Sequence, residues 1–270
     1  MSVRIGQQIE QIRTDSTHGA SWLAKEAVET LVLAVEMGSD PIEVGHELVA
    51  ARPSIGAIAG AVGRVLAAGR TPEQLVEEAR AVLAARERAA KAIAVQLRDA
   101  LTGLVVMTHS ASATAREALL HGSPQRVVCT VSEPVGEGRW FSEELRGAGL
   151  VVDLVADPDG PRAIGSVGLL LLGADTLFHD GSLVNKVGTR KLAEAARAAG
   201  VPVVVACEVI KLSPVESSEP DEDRFELAAA ELIDHYVTEE GAFTPAEIAS
   251  LVDRTPFLRD GYELLGSRVG

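Results

Sequence analysis

The stretch G-A-D-T-L-F-H-D-G-S-L-V-N-K-V-G-T, residues 173–189, contains the residues of this sequence best suited to chemistry. An apolar run ends there at Asp175, and Asn185 and Lys186 follow just before a predicted helix. A carboxylate at the end of a strand is a good general acid or base, because burial can raise its pKa. A lysine beside the backbone amides of a helix start suits a phosphate group. Asp175 could instead be only a turn residue, and Lys186 only a solvated surface lysine.

Further polar residues follow other apolar runs in the second half of the chain. After L-V-V-M-T, R-V-V-C-T-V and V-P-V-V-V-A come, in order, His109 and Ser110; Ser132, Glu133, Glu137 and Arg139; and Cys207, Glu208 and Lys211. Ligands of open parallel sheets bind beyond the carboxyl ends of the strands, so these side chains are expected to gather at one site. Their shared position favours a site more strongly than any single residue does.

Ser110 has two compatible interpretations. It can cap the helix predicted by S-A-S-A-T-A-R-E-A-L-L, and it can offer its hydroxyl, with the helix amides, to an anionic ligand. No G-x-S-x-G elbow surrounds it, so a hydrolase serine is not expected. Cys129 and Cys207 each lie in a strand-like apolar run and are interpreted as buried small residues. Two cysteines give neither a disulfide framework nor a metal-ligand spacing, and no metal site is predicted.

The elements that must position these residues follow two different patterns. Residues 1–100 are predicted to form helices. Segments such as A-S-W-L-A-K-E-A-V-E-T-L-V-L-A-V-E-M-G place apolar residues on one broad face of a helix. Two helix starts combine a capping side chain, a proline at the first helical position and an acceptor that reaches back: Asp40-Pro41 with Glu43, and Thr71-Pro72 with Gln74. We therefore expect a helical N-terminal domain over residues 1–100.

From Leu101 the pattern changes to short Val- and Leu-rich runs separated by helix-like segments. The runs are L-V-V-M-T, R-V-V-C-T-V, L-V-V-D-L-V, S-V-G-L-L-L-L, V-P-V-V-V-A and, less cleanly, H-Y-V-T-E. Continuous apolar strands that alternate with helices are typical of a mainly parallel sheet covered on both faces. The sequence predicts a doubly wound α/β domain over residues 101–270. No G-x-G-x-x-G follows its first strand, which argues against dinucleotide binding, and no cofactor is expected.

The charge balance excludes some classes of partner. With 39 acidic and 25 basic residues, the chain of 270 residues has a net charge of −14. Such acidity disfavours attraction to nucleic acid or to an anionic membrane surface. The N-terminal M-S-V-R-I-G-Q-Q-I-E-Q-I-R lacks the apolar core of a signal peptide, and the longest uncharged apolar stretch, residues 163–174, is too short to span a bilayer. We expect a cytoplasmic protein without direct nucleic-acid or membrane binding.

The segment 173–189 closely resembles the signature G-A-D-x(5)-N-G-x-x-x-N-K-[IV]-G-T of the regulatory α, β and δ subunits of eukaryotic initiation factor 2B. The methylthioribose-1-phosphate and ribose-1,5-bisphosphate isomerases share it, and only its first Asn differs here, as Asp180. Other segments are similar to this family in the same order: T-D-S-T-H-G-A-S-W-L, A-R-P-S-I-G-A, M-T-H-S-A-S-A-T, S-E-P-V-G-E-G-R, V-V-V-A-C-E-V-I-K and the closing F-E-L-A-A-A-E-L-I-D. The likeness extends along nearly the whole chain.

The resemblance implies a helical domain on a Rossmann-like domain, with a phosphosugar or nucleotide-phosphate pocket between them. It also implies a homodimer or higher oligomer assembled through the C-terminal domain. By position, Asp175 corresponds to the catalytic aspartate of the isomerases, and Asn185 and Lys186 to their ligand-binding pair. The other ligand-binding residues expected from the resemblance are His18, Gly19, Ala20, Arg52, His109 and Arg139.

Three departures from the isomerase pattern bear on catalysis. The isomerases have T-H-C where this chain has T-H-S, so Ser110 replaces their cysteine. A hydroxyl is a far poorer proton relay at neutral pH than a thiol with a pKa of about 8.5. Their R-G-A begins here with His18, which removes a permanent positive charge. The arginine of their S-R-P is Glu133, an acid expected near an anionic ligand. These changes argue against ordinary isomerisation more than against ligand binding.

Three functions remain, in order of expectation. The first is a regulatory protein of the initiation factor 2B type that binds a phosphorylated sugar or nucleotide and reports it through assembly. The second is an aldose–ketose isomerase acting on ribose-1,5-bisphosphate or a related pentose phosphate. In that enzyme Asp175 would move the proton between C1 and C2, with Ser110 or a water in place of the thiol. The third is a structural partner in an oligomer.

Overall fold

The computed structural model describes residues 2–69 and 71–266. Its first part consists of the helices α1 (Val3–Thr14), α2 (Ala20–Glu36), α3 (Pro41–Ala51), α4 (Gly56–Ala68) and α5 (Pro72–Leu101). Asp40 caps α3 by accepting from the N–H of Ile42, and Thr71 with Gln74 forms the predicted capping box at α5. Within the described residues, Glu43 does not complete the corresponding box at α3. The helical start of the chain is confirmed.

The second part alternates strands and helices. Its first elements are β1 (Val105–Thr108), α6 (Ala113–Gly122), β2 (Arg126–Thr130), α7 (Gly138–Gly147), β3 (Val152–Val155), α8 (Gly160–Ala163) and β4 (Leu169–Leu172). There follow β5 (Thr176–Phe178), β6 (Leu183–Lys186), α9 (Thr189–Ala199), β7 (Val203–Ala206), β8 (Leu212–Ser213) and β9 (Phe225–Ala228). The last are β10 (His235–Thr238), β11 (Gly241–Phe243), α10 (Ile248–Asp253) and α11 (Pro256–Leu264).

The main sheet has the strand order β11-β10-β7-β4-β1-β2-β3. All of its neighbouring strands pair in parallel except β11, which runs antiparallel to β10 at one edge. The six parallel strands are the six apolar runs read from the sequence, and their order places β1 and β4 side by side at the centre. The predicted doubly wound, mainly parallel architecture is confirmed.

A second, smaller sheet was not predicted. It has the order β8-β5-β6-β9, and β5 and β6 form an antiparallel hairpin within the segment 173–189. Asp180 stabilises the turn of this hairpin, because its carboxylate accepts from the N–H and the hydroxyl of Ser182 and from the hydroxyl of Ser217. The hairpin sets Asp175 at its start and Lys186 at its end.

The helical and α/β parts are packed against each other. One hydrophobic core extends from α2 and α4, with Leu23 and Val62, to β4 with Leu170. A Cβ at Gly60 of α4 would overlap the carbonyl of Ile210, so backbone meets backbone at this point. The hydroxyl of Thr176, at the start of β5, donates to Ser54 O (2.9 Å) and accepts from the N–H of Gly56 (2.7 Å). These contacts fix the start of α4 beside the hairpin.

No helix in residues 2–69 and 71–266 combines the length and the apolar character needed to cross a lipid bilayer.

Candidate functional site

A cavity of about 380 Å³ lies between the first part of the chain and the carboxyl ends of the central strands. Nine of the ten residues to which the sequence assigned a catalytic or ligand-binding role line it: His18, Gly19, Ala20, Arg52, His109, Ser110, Asp175, Asn185 and Lys186. They come from segments far apart in the chain, and α2, α4, β1 and the β5–β6 hairpin bring them together. Three of the nine, His109, Ser110 and Asp175, follow strands of the parallel sheet, and the other six come from the helical part and the β5–β6 hairpin.

Asp175 lies between β4 and β5, where its backbone is fixed on both sides. Its N–H donates to Val184 O at 2.9 Å, and its carbonyl accepts from the N–H of Ala57 at 3.3 Å. In the part of the chain that the structure describes, its carboxylate has no hydrogen-bond or salt-bridge partner. Burial raises the pKa of Asp175 to about 6, although the charges of Lys211 and Arg52 act in the opposite direction. A carboxyl of this kind can accept or donate a proton near neutral pH.

Ser110 and Lys186 meet at one carboxylate, that of Glu137. Ser110 has a left-handed backbone (φ 64°), and its N–H donates to the hydroxyl of Ser132 at 2.8 Å. Its own hydroxyl donates to Glu137 Oε1 at 2.7 Å, while Lys186 Nζ lies 2.9 Å from both carboxylate oxygens. The cap of α6 is Ser112, which accepts from the N–H of Ala115, so the expectation that Ser110 caps this helix was wrong. The left-handed backbone turns Ser110 away from that position and towards Glu137.

His109 is a structural part of the cavity wall. Its Nδ1 lies 2.6 Å from the hydroxyl of Thr130, and its Nε2 lies 2.9 Å from Val187 O. Because a carbonyl can only accept, Nε2 carries the proton and Nδ1 accepts from Thr130. Burial lowers the pKa of His109, so the ring is neutral at pH 7. Nearby, Asn185 Nδ2 donates to the hydroxyl of Thr189 at 2.9 Å, which orients its amide.

Lys211 also lines the cavity; the sequence placed it among the strand-end residues but gave it no catalytic or ligand-binding role. Its Nζ lies 3.1 Å from Glu208 Oε2, and both side chains are buried. Glu208 further accepts from the hydroxyls of Ser21 on α2, at 3.2 and 3.3 Å, and of Thr114 on α6, at 3.0 Å. Burial opposes the ionisation of Glu208, but the charge of Lys211 prevails and holds its pKa below the usual range.

Two arginines share a carboxylate at another part of the wall. Arg52 is 3% exposed; its Nη1 donates to Asp15 O at 2.7 Å, and its Nε lies 3.4 Å from Glu222 Oε2. Arg224 donates from Nε and Nη2 to the same Glu222 oxygen at 3.1 Å, and from Nη2 to Asp15 O at 3.3 Å. Sequence reasoning missed Arg224 because it ends the acidic segment 214–224, which resembles no motif.

The start of α2 forms the most exposed part of the wall. Gly19 at the N-cap position provides no side-chain cap, and no acceptor for the N–H of Ala20 or Ser21 is found in the described chain. The preceding loop is held by Asp15, whose carboxylate accepts from the N–H of His18 at 2.8 Å and from its Nδ1 at 2.7 Å. The ring of His18 stacks on Trp22 with centroids 3.8 Å apart. Bare helix amides and an aromatic pair thus face the cavity together.

Arg139, the tenth expected site residue, does not line this cavity. Its guanidinium lies 3.0 Å from Glu133 Oε1, and both side chains are exposed. Glu133 is likewise absent from the cavity wall, so the acid expected near the ligand from the S-E-P segment is not Glu133. The acid that this segment does contribute is Glu137.

The sequence matches the model of the initiation factor 2 subunit family over residues 16–224. The chain belongs to this family. A ribose 1,5-bisphosphate isomerase from Archaeoglobus fulgidus is 32% identical over 221 residues, which cover 76% of this chain and 71% of the relative.

Solved structures of this family share the fold. The translation initiation factor eIF-2B of Pyrococcus horikoshii OT3 superposes with a TM-score of 0.82 at 26% identity, covering 91% of this chain and 98% of the other. A chain of the tetrameric eIF2B β2δ2 complex from C. thermophilum gives a TM-score of 0.81 at 19% identity, over 94% of this chain and 95% of its own. Family members named for translation and for sugar-phosphate isomerisation thus both resemble this chain.

Proposed function

We propose that this protein binds a phosphorylated sugar or nucleotide in the cavity between its two parts and acts as a regulatory subunit of the initiation factor 2B type. The observation that carries the proposal is the convergence of bare helix amides, buried cations and an unpartnered Asp175 on one cavity of about 380 Å³ in the described residues. A volume of this order suits a ligand of the size of a pentose phosphate or a nucleotide.

The start of α2 is the best place for the phosphate. A helix N-terminus binds anions because its first N–H groups point outward and the helix dipole is positive there. The helix has 17 residues, and Gly19 leaves its first amides free of a side-chain acceptor. Arg52 lies within the same wall, where its guanidinium adds a permanent charge. The sugar or nucleoside would then extend towards Asp175 and Lys186.

Isomerase activity is the second candidate, and Asp175 favours it. A carboxyl with a pKa of about 6 is suited to moving a proton between C1 and C2 of an aldose phosphate. Ser110 argues against it, because the hydroxyl that replaces the isomerases' thiol already donates to Glu137. On these grounds we rank binding above turnover.

An NMR assay with ribose-1,5-bisphosphate and methylthioribose-1-phosphate separates the two functions. We expect no ketose product. Turnover that disappears in Asp175→Asn, while the control Asp153→Asn on the exposed edge strand β3 retains it, would establish the isomerase instead. The control removes the same charge far from the cavity.

A thermal-shift panel of sugar phosphates and nucleoside phosphates tests binding itself. A ligand at 100 times its Kd stabilises the folded state by about 2.7 kcal/mol, or several degrees in Tm for a chain of this size. We expect at least one member to do so, and to lose its effect in Arg52→Met. If no member stabilises the protein, the remaining candidate function is that of a structural partner in an oligomer.

We further propose that the chain divides into domains 1–100 and 101–270, assembles as a homodimer or higher oligomer through the second, and acts in the cytoplasm. A structural relative named as a tetrameric complex supports assembly. Light scattering after size-exclusion chromatography measures it; a monomer at all concentrations would contradict it.

A further inference from the structure

We infer that the ligand of the cavity is a nucleoside phosphate whose base stacks on Trp140. This inference rests on the proposed function and specifies its ligand class. Its basis is the position of the largest aromatic side chains: the chain has two tryptophans, and Trp22 and Trp140 both line the cavity. Trp22 belongs to α2 and Trp140 to α7, so each part of the molecule contributes one. A bare pentose phosphate has no flat apolar group to stack on such a ring.

The helix α7 leads from the buried part of the cavity to its opening. Four residues at the helical spacing i, i+3, i+4 and i+7 share one of its faces and line the cavity: Glu137, Trp140, Phe141 and Glu144. Exposure rises along this face, because the side chain of Glu137 is 11% exposed and that of Glu144 is 39% exposed. Trp140 lies between them. A ligand that extends from Lys186, the partner of Glu137, towards the opening therefore passes Trp140.

The ring of Trp140 is available to a ligand. Trp140 is 48% exposed, and its one aromatic contact in the described residues is an edge contact with Phe141, with centroids 6.2 Å apart. Trp22 differs, because His18 already stacks on it at 3.8 Å. Trp140 also follows the family-like segment S-E-P-V-G-E-G-R and is not part of it. Of the two tryptophans, Trp140 is therefore the one on which a base can stack, and the family motifs do not account for it.

Polar side chains near the opening suit the edge of a base. Arg116 of α6 donates from Nε to Glu144 of α7 at 2.5 Å, and both residues line the cavity with partly exposed side chains. A guanidinium provides donors and a carboxylate provides acceptors, and the edge of a nucleobase carries groups of both kinds. Because a partly exposed ion pair is weak, its groups can turn towards a ligand at little cost. An aliphatic substituent would contact Trp140 but could not use this pair, so a base is the better fit.

Titration calorimetry with AMP, GMP and ribose-5-phosphate tests the ligand class. Ribose-5-phosphate has the sugar and phosphate of the nucleotides but no base. Since a base stacked on an aromatic ring strengthens binding by about tenfold, we expect AMP or GMP to bind at least about tenfold more tightly. Equal or weaker binding of both nucleotides would overturn the inference while leaving sugar-phosphate binding established. Binding of none of the three, nor of any other sugar phosphate, would instead contradict the proposed function.

Trp140→Ala tests the position of the base. We expect this substitution to raise the Kd of the nucleotide by about tenfold and to leave the Kd of ribose-5-phosphate unchanged. Trp140→Phe keeps an aromatic ring and should retain most of the affinity. Phe243→Ala is the control, because it removes a ring from the edge strand β11, outside the cavity wall. An unchanged nucleotide Kd in Trp140→Ala, or an equal rise for both ligands, would overturn the inference.

Tryptophan fluorescence locates the base independently, because both tryptophans of the chain line the cavity and can be replaced one at a time. We expect the nucleotide to quench the wild-type emission and to lose most of this effect in Trp140→Phe. Quenching that persists in Trp140→Phe and disappears in Trp22→Phe would place the base at α2 and overturn the role of Trp140. If light scattering shows that Trp140→Ala dissociates an oligomer while both Kd values stay unchanged, Trp140 belongs to a subunit contact and the inference is wrong.

Discussion

The two walls of the cavity differ in how their polar groups are held. On the α/β wall, Ser110, Glu137, Lys186 and Lys211 bond to protein partners, and three of these four side chains are buried charges in pairs. On the helical wall, the start of α2 presents bare amides, and His18 is exposed beside its partner Asp15. The first wall is preorganised by internal pairs, while the second has groups that only a ligand or solvent can satisfy.

Because of this difference, substitutions on the two walls are expected to affect stability and ligand binding to different extents. Removing a member of a buried pair leaves an uncompensated charge, whereas changing an exposed group mainly alters what the cavity can hold. We therefore expect substitutions of the buried pairs on the α/β wall to lower the free energy of unfolding strongly, and substitutions of the exposed groups before α2 to have small effects on it.

The largest effect is expected for Glu208→Ala. It leaves Lys211 buried without its partner and removes the acceptor of Ser21 and Thr114. We expect the free energy of unfolding, measured in urea, to fall by about 3–5 kcal/mol. The control Glu26→Ala breaks a partly exposed pair with Lys25 and should change it by about 0–1 kcal/mol. Similar losses in the two variants would remove the distinction between the walls.

Thr176→Val tests the connection between the walls. It leaves the N–H of Gly56 and the carbonyl of Ser54 without the hydroxyl that serves both. Buried groups left unsatisfied destabilise by about 2–3 kcal/mol in total, measurable by urea unfolding. Thr30→Val is the matched control, because the buried Thr30 only bonds back to Glu26 O within α2. Equal effects of the two substitutions would contradict a special role for Thr176.

Asp175 is the exception on the α/β wall, since it has no compensating partner in the described chain. Its folded pKa, about 6, exceeds its ordinary value of 3.8, so the folded state binds the proton more tightly than the unfolded state. Its contribution to stability is present below pH 3.8 and is lost as the pH rises through 6. We expect Asp175→Asn to be about 1–2 kcal/mol more stable than the wild type at pH 8.

The measurement for Asp175 is urea unfolding at several pH values. The free energy of unfolding of the wild type should decline between pH 4 and 6 by up to about 1.4 kcal/mol per pH unit. Asp175→Asn should lack this decline. An identical pH dependence of the two proteins would show that the carboxyl is solvated normally.

The smallest effect is expected for Asp15→Asn on the helical wall. Burial opposes the charge of Asp15, but hydrogen bonds from His18 and Thr17 prevail and lower its pKa. A lowered pKa gives stability that is present above the ordinary value of 3.8 and is lost as the pH falls through the folded pKa. We expect a loss of about 0.5–1 kcal/mol at pH 7 that vanishes by pH 2. A loss that persists at pH 2 would point to packing instead.

The main sheet could be predicted because its six parallel strands are continuous apolar runs. The ends of two of these strands precede His109, Ser110 and Asp175, whereas the other expected residues on the cavity wall came from the family motifs. The small sheet could not be predicted, since β8 has only two residues and β5 only three. The position of Arg139 was equally inaccessible, because its motif fixes a place along the chain and not the direction of its side chain. Only the folded chain shows that Glu133 holds it at the surface. The pairing of each cavity cation depends in the same way on contacts between distant segments.

The hydroxyl of Thr176 sits between the segment that carries Arg52 and the turn that carries Asp175. With the N–H of Ala57 also bonded to Asp175 O, these two segments form one rigid piece. The distance between the start of α4 and the turn at Asp175 is therefore fixed by these hydrogen bonds. Under the proposed function, this arrangement would limit the length of the phosphorylated ligand that fits between the two segments. A change in ligand preference would then arise at other positions of the wall, such as the exposed residues 16–18 before α2.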